Sequence, residues 1–386
     1  MARAEERKLR ICYLSDGNST HDVRLLNALS RSGLEMHLIS FHLGGLHPSL
    51  SSDVIVHHFR IPSLASRFLR GGACISPSPL LLKGLLNEIE SDVVHSTWLQ
   101  SYGFYAAVAN YRPILSMPFG SDVLIQPDRS LLSKFAAIFA LSRADLIACD
   151  AESVKNKILT LVRSRKDNIV VFPHGVDISL FSPSDQSGRE IREELGWEDK
   201  LVVVHDRSFE EVYGIEYLVE AIPLIVNECP EARFLFCGTG RLETEMRMKI
   251  RQQHNLEYVH FMGYVENNEL PRYLNSADVY VSSSLSDGTS ISLLEAMACG
   301  LPVVLSDVPS NLEWVTCEHN GMIVPRKSPQ AIAQAVLYLL KRPEVRRRFG
   351  KENLKIARER ADLKKTVATL LNTYERLASS ERPDQR

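Results

Sequence analysis

Residues 280–300, YVSSSLSDGTSISLLEAMACG, decide how this chain is read. A short β-branched run ends at Val281-Ser282-Ser283, and a polar loop of Ser, Asp and Gly follows. A helix pattern begins near Ser290, with Leu293, Leu294 and Met297 on one apolar face. Gly288 lets a ligand approach the backbone, and Thr289 or Ser290 can cap the helix. The N–H groups of Ser290, Ile291 and Ser292 then point out of the positive end of the helix dipole, an arrangement suited to a diphosphate. Asp287 lies in the loop and Glu295 about a turn inside the helix. A carboxylate at Glu295 can accept two hydrogen bonds from the vicinal hydroxyls of a ribose.

Outward from this block, strand and helix patterns alternate along the chain. Apolar runs at residues 9–15, 35–41, 53–59, 91–97, 113–118, 145–150 and 168–173 read as short buried strands, with helix patterns such as 23–31 between several of them. The series starts afresh at 200–206 and continues at 232–238, 256–263, 277–283 and 301–307, with a helix at 214–227. Each half therefore reads as α/β with a doubly wound parallel sheet. Residues 181–188, FSPSDQSG, are polar with Pro and Gly, and read as the linker. The expected domains are 1–185 and 186–360, with a helical segment at 361–386 whose apolar line is Val367, Leu370, Leu371 and Leu377. Ligands of such sheets sit outside the carboxyl ends of the strands, which points to an interdomain cleft.

Composition excludes several classes. The 386 residues are 45% hydrophobic and 24% charged, so the chain is globular and not disordered. Lys+Arg 45 against Asp+Glu 47 leaves a net charge of −2, without the basic surplus a general nucleic-acid binder needs. The seven cysteines are scattered and form no CxxC pair, as expected of buried free thiols in a reducing compartment. The charged opening MARAEERKLR leads straight into ICYLSD, and no apolar run is long enough to span a bilayer. We expect a soluble cytoplasmic protein. The basic run at 341–365 reads as one solvated helix face.

The 280–300 block resembles the donor-binding signature of retaining glycosyltransferases of family 4 (group 1). Their pattern is Glu, seven residues, Glu, then Ala-Met-Ala-x-Gly-x-Pro-Val. Here it reads Asp287-x7-Glu295, then Ala296-Met297-Ala298-Cys299-Gly300-Leu301-Pro302-Val303, with Asp in place of the first Glu. The resemblance extends over most of the chain, through residues 233–240 (RFLFCGTG), 260–265 (HFMGYV), 269–280, Asn320-Gly321 with Val324-Pro325, and Pro173-His174-Gly175-Val176-Asp177. It implies a GT-B fold, two Rossmann-like domains facing across a cleft, with the terminal helix returning to the N-terminal domain. It also implies transfer of a sugar from a nucleotide-sugar donor, UDP most commonly, to an acceptor hydroxyl with retention, and no metal or other cofactor.

On that resemblance, Asp287 would hold the donor-sugar hydroxyls and Glu295 the ribose. Gly288, Thr289, Ser290 and Ile291 would meet the diphosphate, and Gly238 and Val265 would flank the nucleotide. Arg207 would stabilise the leaving group. The family usually adds a Lys before a Gly; here Val212 and Tyr213 precede Gly214. Either Arg207 and the helix N-terminus suffice, or another cation such as Arg241 substitutes, or turnover is weak and the protein is a nucleotide-sugar binding scaffold. A nucleotide-sugar epimerase or hydrolase is a further alternative. On the acceptor side, Asn18 and His21 follow the first strand, and His21 is read either as an acceptor or phosphate contact or as a helix N-terminal residue. Asp122 is either a catalytic contact or a helix cap, and His95 ends a strand where it either lines the cleft or, as an isolated His at a strand end more often does, plays a structural part. The acceptor is a sugar, glycan or lipid-linked molecule that the sequence does not name. Residues 60–70, RIPSLASRFLR, mix basic and apolar side chains and are read as a cleft loop or a contact with a membrane surface.

Overall fold

The computed structural model describes residues 7–41, 45–59 and 78–380. Residues 60–70 lie outside this range. One compact unit runs to His174 and takes in the chain from Lys365; the other is Gly175–Lys364.

Among its described residues the first unit carries seven strands: β1 (Arg10–Ser15), β2 (Glu35–Ser40), β3 (Ile55–His58), β4 (Val93–Ser96), β5 (Ile114–Ser116), β6 (Leu146–Cys149) and β7 (Ile169–Val171). Their order is β3-β2-β1-β4-β5-β6-β7, every pairing parallel, with Leu14 of β1 beside Ile39 of β2 and Ser96 of β4. The second unit holds β8 (Leu201–His205), β9 (Ala232–Phe236), β10 (Val259–Phe261), β11 (Val279–Ser282), β12 (Val303–Ser306) and β13 (Gly321–Val324). Its order, β10-β9-β8-β11-β12-β13, repeats the same winding. β13 falls where the sequence reading saw only a motif. Most of these strands are buried along their length, because helices cover both faces, so they read as continuous apolar runs instead of alternating ones.

Parallel winding reverses direction between β1 and β4 and between β8 and β11. The loops leaving those strands splay apart there and open a crevice at the carboxyl edge of each sheet. The loop after β11 is the 283–290 stretch, so the fold brings the decisive block to the switch point of the second sheet.

The polar 181–188 stretch is not the linker. Ser184 caps the helix Asp185–Leu195 by accepting the N–H of Ser187, and its own N–H donates to Asn275 Oδ1 at 3.0 Å. Val176 and Phe181, upstream of it, are fully buried with Trp197 and Val202 in the second unit's core. The polarity of this segment serves a helix start, and the division comes earlier, at His174/Gly175. At the other end, the helix Leu363–Ser379 buries Val367, Leu370, Tyr374 and Leu377, and from Lys365 it belongs to the first unit. Thr366 Oγ1 donates to the Pro173 carbonyl, and Tyr374 reaches His95.

Candidate functional site

β8 ends at His205 and delivers Asp206 and Arg207 to the switch point of the second sheet. Arg207 is only 7% exposed. Its Nη2 donates to Asp287 Oδ2 at 2.6 Å and its Nη1 to Ser290 Oγ at 2.8 Å. Ser290 is the cap of the helix Ile291–Ala298, and its hydroxyl also accepts the Leu293 N–H. The arginine, the loop carboxylate and the helix cap thus form one cluster. Ile291 and Ser292 carry first-turn N–H groups, which have no carbonyl partner inside the helix.

Electrostatics sharpen the picture. Burial works against charge on Arg207, but Asp287, Tyr213, Tyr280 and Asp206 outweigh it and keep the guanidinium more firmly protonated than usual. Burial raises the pKa of Asp287, and Arg207 pulls it back only in part. Arg207 Nε is buried and has no hydrogen-bond partner among the described residues. A buried cation with an unused donor, beside a helix N-terminus, is an incomplete anion site.

The walls of the cluster are built by close backbone approach. Gly214 sits at φ +57°, and a Cβ there would lie 2.4 Å from the Ser283 carbonyl. The turn before it is tied to the 283–290 loop twice: Leu285 N–H donates to the Val212 carbonyl and Ser283 Oγ to the Tyr213 carbonyl. Gly238 lets the loop after β9 lie on Arg207, where a Cβ would meet the Arg207 carbonyl at 2.6 Å. On the other side, Trp314 Nε1 donates to Thr289 Oγ1, and Ser310 Oγ to the Asp287 carbonyl. Gly288 and Thr289 are buried between these walls, and Glu295 is buried on the second turn of the helix. Val265 is half-buried against the same unit's core.

Arg241 does not join the cluster. Its side chain is 73% exposed, and Nε pairs with Glu210 Oε2 at 2.7 Å, so it stands at the rim with its charge already matched. Three features escaped the sequence reading. Tyr213 lies under Arg207, with Cζ 4.0 Å from its ring centroid. Asp206, one residue before Arg207, has its carboxyl pushed up to about 6, chiefly by burial. Arg326, after β13, donates from Nη1 to the Leu285 carbonyl and pairs through Nε with Asp307. The first two were signalled only by adjacency to Arg207 and to Gly214.

In the first unit the switch-point loop is organised by Asp16, whose Oδ1 accepts the N–H groups of Asn18 and Ser19. Asn18 and His21 are both exposed there, His21 in the first turn of the helix Thr20–Ser30. Asp22 beside it is buried, accepts the Tyr13 hydroxyl at 2.6 Å and is pushed up to about 7 by burial.

Two acceptor-side expectations are corrected. His95 is 0% exposed and lines nothing: its Nδ1 bonds the Tyr374 hydroxyl at 2.6 Å, its ring lies 4.5 Å from that of Tyr13, and burial lowers its pKa to about 3. Asp122 takes the bracing side of the two roles read for it. It is fully buried, with Oδ2 accepting the Leu99 N–H and Oδ1 the Phe119 N–H, each at 3.0 Å. Burial still leaves its pKa raised to about 6.

Among the described residues, no three His, Cys, Asp or Glu side chains are grouped to hold a metal ion, and no helix is long and apolar enough to cross a membrane. Comparison with known proteins agrees with this geometry. Residues 187–356 match the family model for glycosyl transferases group 1, and residues 10–151 match that for glycosyl transferase 4-like proteins. An uncharacterised glycosyltransferase of Methanocaldococcus jannaschii is 26% identical, over 83% of this chain and 84% of that one. The N-acetyl-alpha-D-glucosaminyl L-malate synthase of Bacillus anthracis is 23% identical over 95% of this chain and 97% of its own. The crystal structure of Anabaena HepE in complex with UDP-glucose superposes with a TM-score of 0.81, at 19% identity, covering 95% of this chain and 100% of that one. Matched in both halves by glycosyltransferase family models, residues 187–356 by that of group 1, and wound twice as a Rossmann-like unit, the chain is a glycosyltransferase of GT-B fold.

Proposed function

We propose that the protein transfers a sugar from a UDP-sugar to an acceptor hydroxyl with retention at the anomeric carbon, without a metal ion. The unit Gly175–Lys364 binds the donor and the first unit the acceptor. The observation that carries this reading is the buried Arg207, held between Asp287 and Ser290 at the start of the Ile291–Ala298 helix. A diphosphate placed there completes the unused Arg207 donor and the first-turn N–H groups, and these groups stabilise the charge that develops as it leaves. Glu295 grips the ribose. Asp287, released from Arg207 by the incoming phosphate, takes the donor-sugar hydroxyls. Attack comes from the same face as the departing phosphate, whose oxygen accepts the acceptor proton, so no protein nucleophile is required. UDP as the base-bearing partner is supported by the UDP-glucose bound in HepE.

Asn18 and His21, exposed at the first unit's switch point, are the acceptor-side contacts in this reading. A peripheral contact with an anionic membrane at the cytoplasmic face is supported by the helix Leu131–Arg143, where Leu131, Leu132 and Phe135 are exposed beside Arg129 and Lys134.

Titration with UDP, GDP and ADP, followed by NMR of the product made from a UDP-sugar panel and cell-extract acceptors, tests the assignment. Acceptor-dependent release of UDP with an unchanged anomeric configuration is expected. Inversion at the anomeric carbon overturns the mechanism. The lack of a Lys at residues 212–213 favours one rival, a binding scaffold; nucleotide affinity without turnover on any acceptor supports it.

A further inference from the structure

The cation of the donor site is held from below by an aromatic ring. Arg207 uses its guanidinium edges for Ser290 and Asp287, and presents one flat face to Tyr213, 4.0 Å from Cζ to the ring centroid. Stacking on a face leaves the in-plane N–H groups free for ligands, so the ring and a phosphate do not compete. In the donor-site reading the incoming diphosphate also displaces Asp287 from the Nη2 edge. When the carboxylate lets go, Ser290 and the ring are what still fix the plane of the guanidinium. The ring is itself fixed to the loop that cradles the ligand. The Val212 and Tyr213 carbonyls both accept from that loop, and Gly214, in the left-handed region against the Ser283 carbonyl, closes the turn.

Resting on the donor-site reading above, we propose that Tyr213 is a positioning residue that keeps Arg207 aimed at the donor diphosphate once Asp287 has released it. Tyr213 acts through Arg207 and contributes the face of its ring, not its hydroxyl. Ring, cation and donor loop then form one preorganised unit, in which a single well-held arginine is the neutralising cation.

A double-mutant cycle read by UDP titration tests this. Tyr213→Leu is expected to weaken UDP binding about tenfold, between the worth of an exposed and of a desolvated cation–π contact. Tyr213→Phe, which keeps the face, is expected to stay within about twofold of wild type on the same account. In an Arg207→Met background, Tyr213→Leu should change nothing further, because the residue it supports is gone. Equal losses in both backgrounds, or wild-type affinity in Tyr213→Leu, overturn the proposal. So does a Tyr213→Phe variant as weak as Tyr213→Leu. Tyr213 is half-buried in a short turn, and thermal unfolding of each variant reports any loss of fold separately. If wild type binds UDP but the cycle is additive, only Tyr213's role falls. If wild type binds no nucleoside diphosphate, the donor-site reading falls and takes this inference with it.

Discussion

Asp287→Asn keeps the shape of the donor loop and removes the charge 2.6 Å from Arg207 Nη2. Breaking a buried ion pair by neutralising one partner costs about 3–5 kcal/mol, because the other charge stays buried without compensation. Two features put this site below that range. The Asn carboxamide oxygen still accepts from Nη2, and burial has already raised the Asp287 pKa, so the carboxylate gives back less than a fully favourable one. A loss of about 2–3 kcal/mol follows, which for a unit the size of Gly175–Lys364 corresponds to roughly 5–10 °C in Tm. UDP should restore it. On the proposed mode of binding a diphosphate takes Nη2 from Asp287 in wild type, whereas in the variant that donor has lost its charged partner. UDP affinity is therefore expected to rise, by up to about tenfold for 1.4 kcal/mol of relieved competition, while sugar transfer falls.

Differential scanning calorimetry with and without UDP, paired with titration calorimetry, reads both quantities. A variant that melts within about 1 °C of wild type means that the pair contributes no net stability, as for solvated surface pairs. A variant that binds UDP more weakly than wild type means that the carboxylate and the diphosphate never compete. Either result breaks the reasoning that links Arg207's present partner to its proposed one.

Four further outcomes are expected. Glu295→Ala should weaken UDP by a few kcal/mol, two charge-assisted bonds at roughly 1.5–3 each, and should weaken 2′-deoxy-UDP by less; equal losses on both ligands would take Glu295 away from the ribose. Gly214→Ala should unfold well before Gly196→Ala. Both glycines have positive φ, but only at Gly214 does a Cβ strike a carbonyl, while Gly196 has open space and costs about 1–2 kcal/mol; equal melting temperatures would deny the close approach to Ser283. Between pH 4 and 6 the first unit's stability should be nearly flat. Buried His95 and His174, lowered to about 3 and 4, favour the fold less as pH falls below 6.5, while Asp22 and Asp122, raised to about 7 and 6, favour it less as pH rises from 4. Asp22→Asn removes one opposing slope, so acidification from pH 6 to 5 should then cost about 1 kcal/mol, read by chemical denaturation; an unchanged pH profile counts against these burials. Finally, Leu131→Ser with Phe135→Ser should abolish sedimentation with phosphatidylglycerol vesicles; wild-type protein that fails to sediment removes the membrane contact.

The winding of both sheets was legible because apolar runs of strand length are a local signal, and twelve of the strands stand where such runs do. β13 was not, since Gly321 opens it and it reads as a turn motif. The 283–290 loop was legible for a related reason. Its Asp, Gly and Ser lie in sequence order on one strand–loop–helix unit, so spacing alone puts Asp287 and Ser290 on one loop, with Glu295 on the second turn of the helix that follows. Polarity misled where it had two uses: residues 181–188 look like a linker, yet Ser184 is polar because a helix start needs an acceptor.

The residues whose role the sequence left open share a physical cause. His95 is bound by Tyr374, 279 positions away, and Asp122 braces Leu99, 23 positions away. Whether a polar side chain at a strand end faces ligand or core depends on whether a distant residue arrives to satisfy it, and nothing beside it in the chain announces that arrival. Buried polar groups must be paired, so each such residue is either claimed by the fold or left over for a ligand. His95 Nδ1 and both Asp122 oxygens are claimed. Arg207, with Nε still unpartnered in a wall of close-packed backbone, is left over. His95 Nε2 is likewise without a partner among the described residues, so what separates Arg207 from its look-alikes is its company: a loop carboxylate and a helix cap at the switch point of the second sheet.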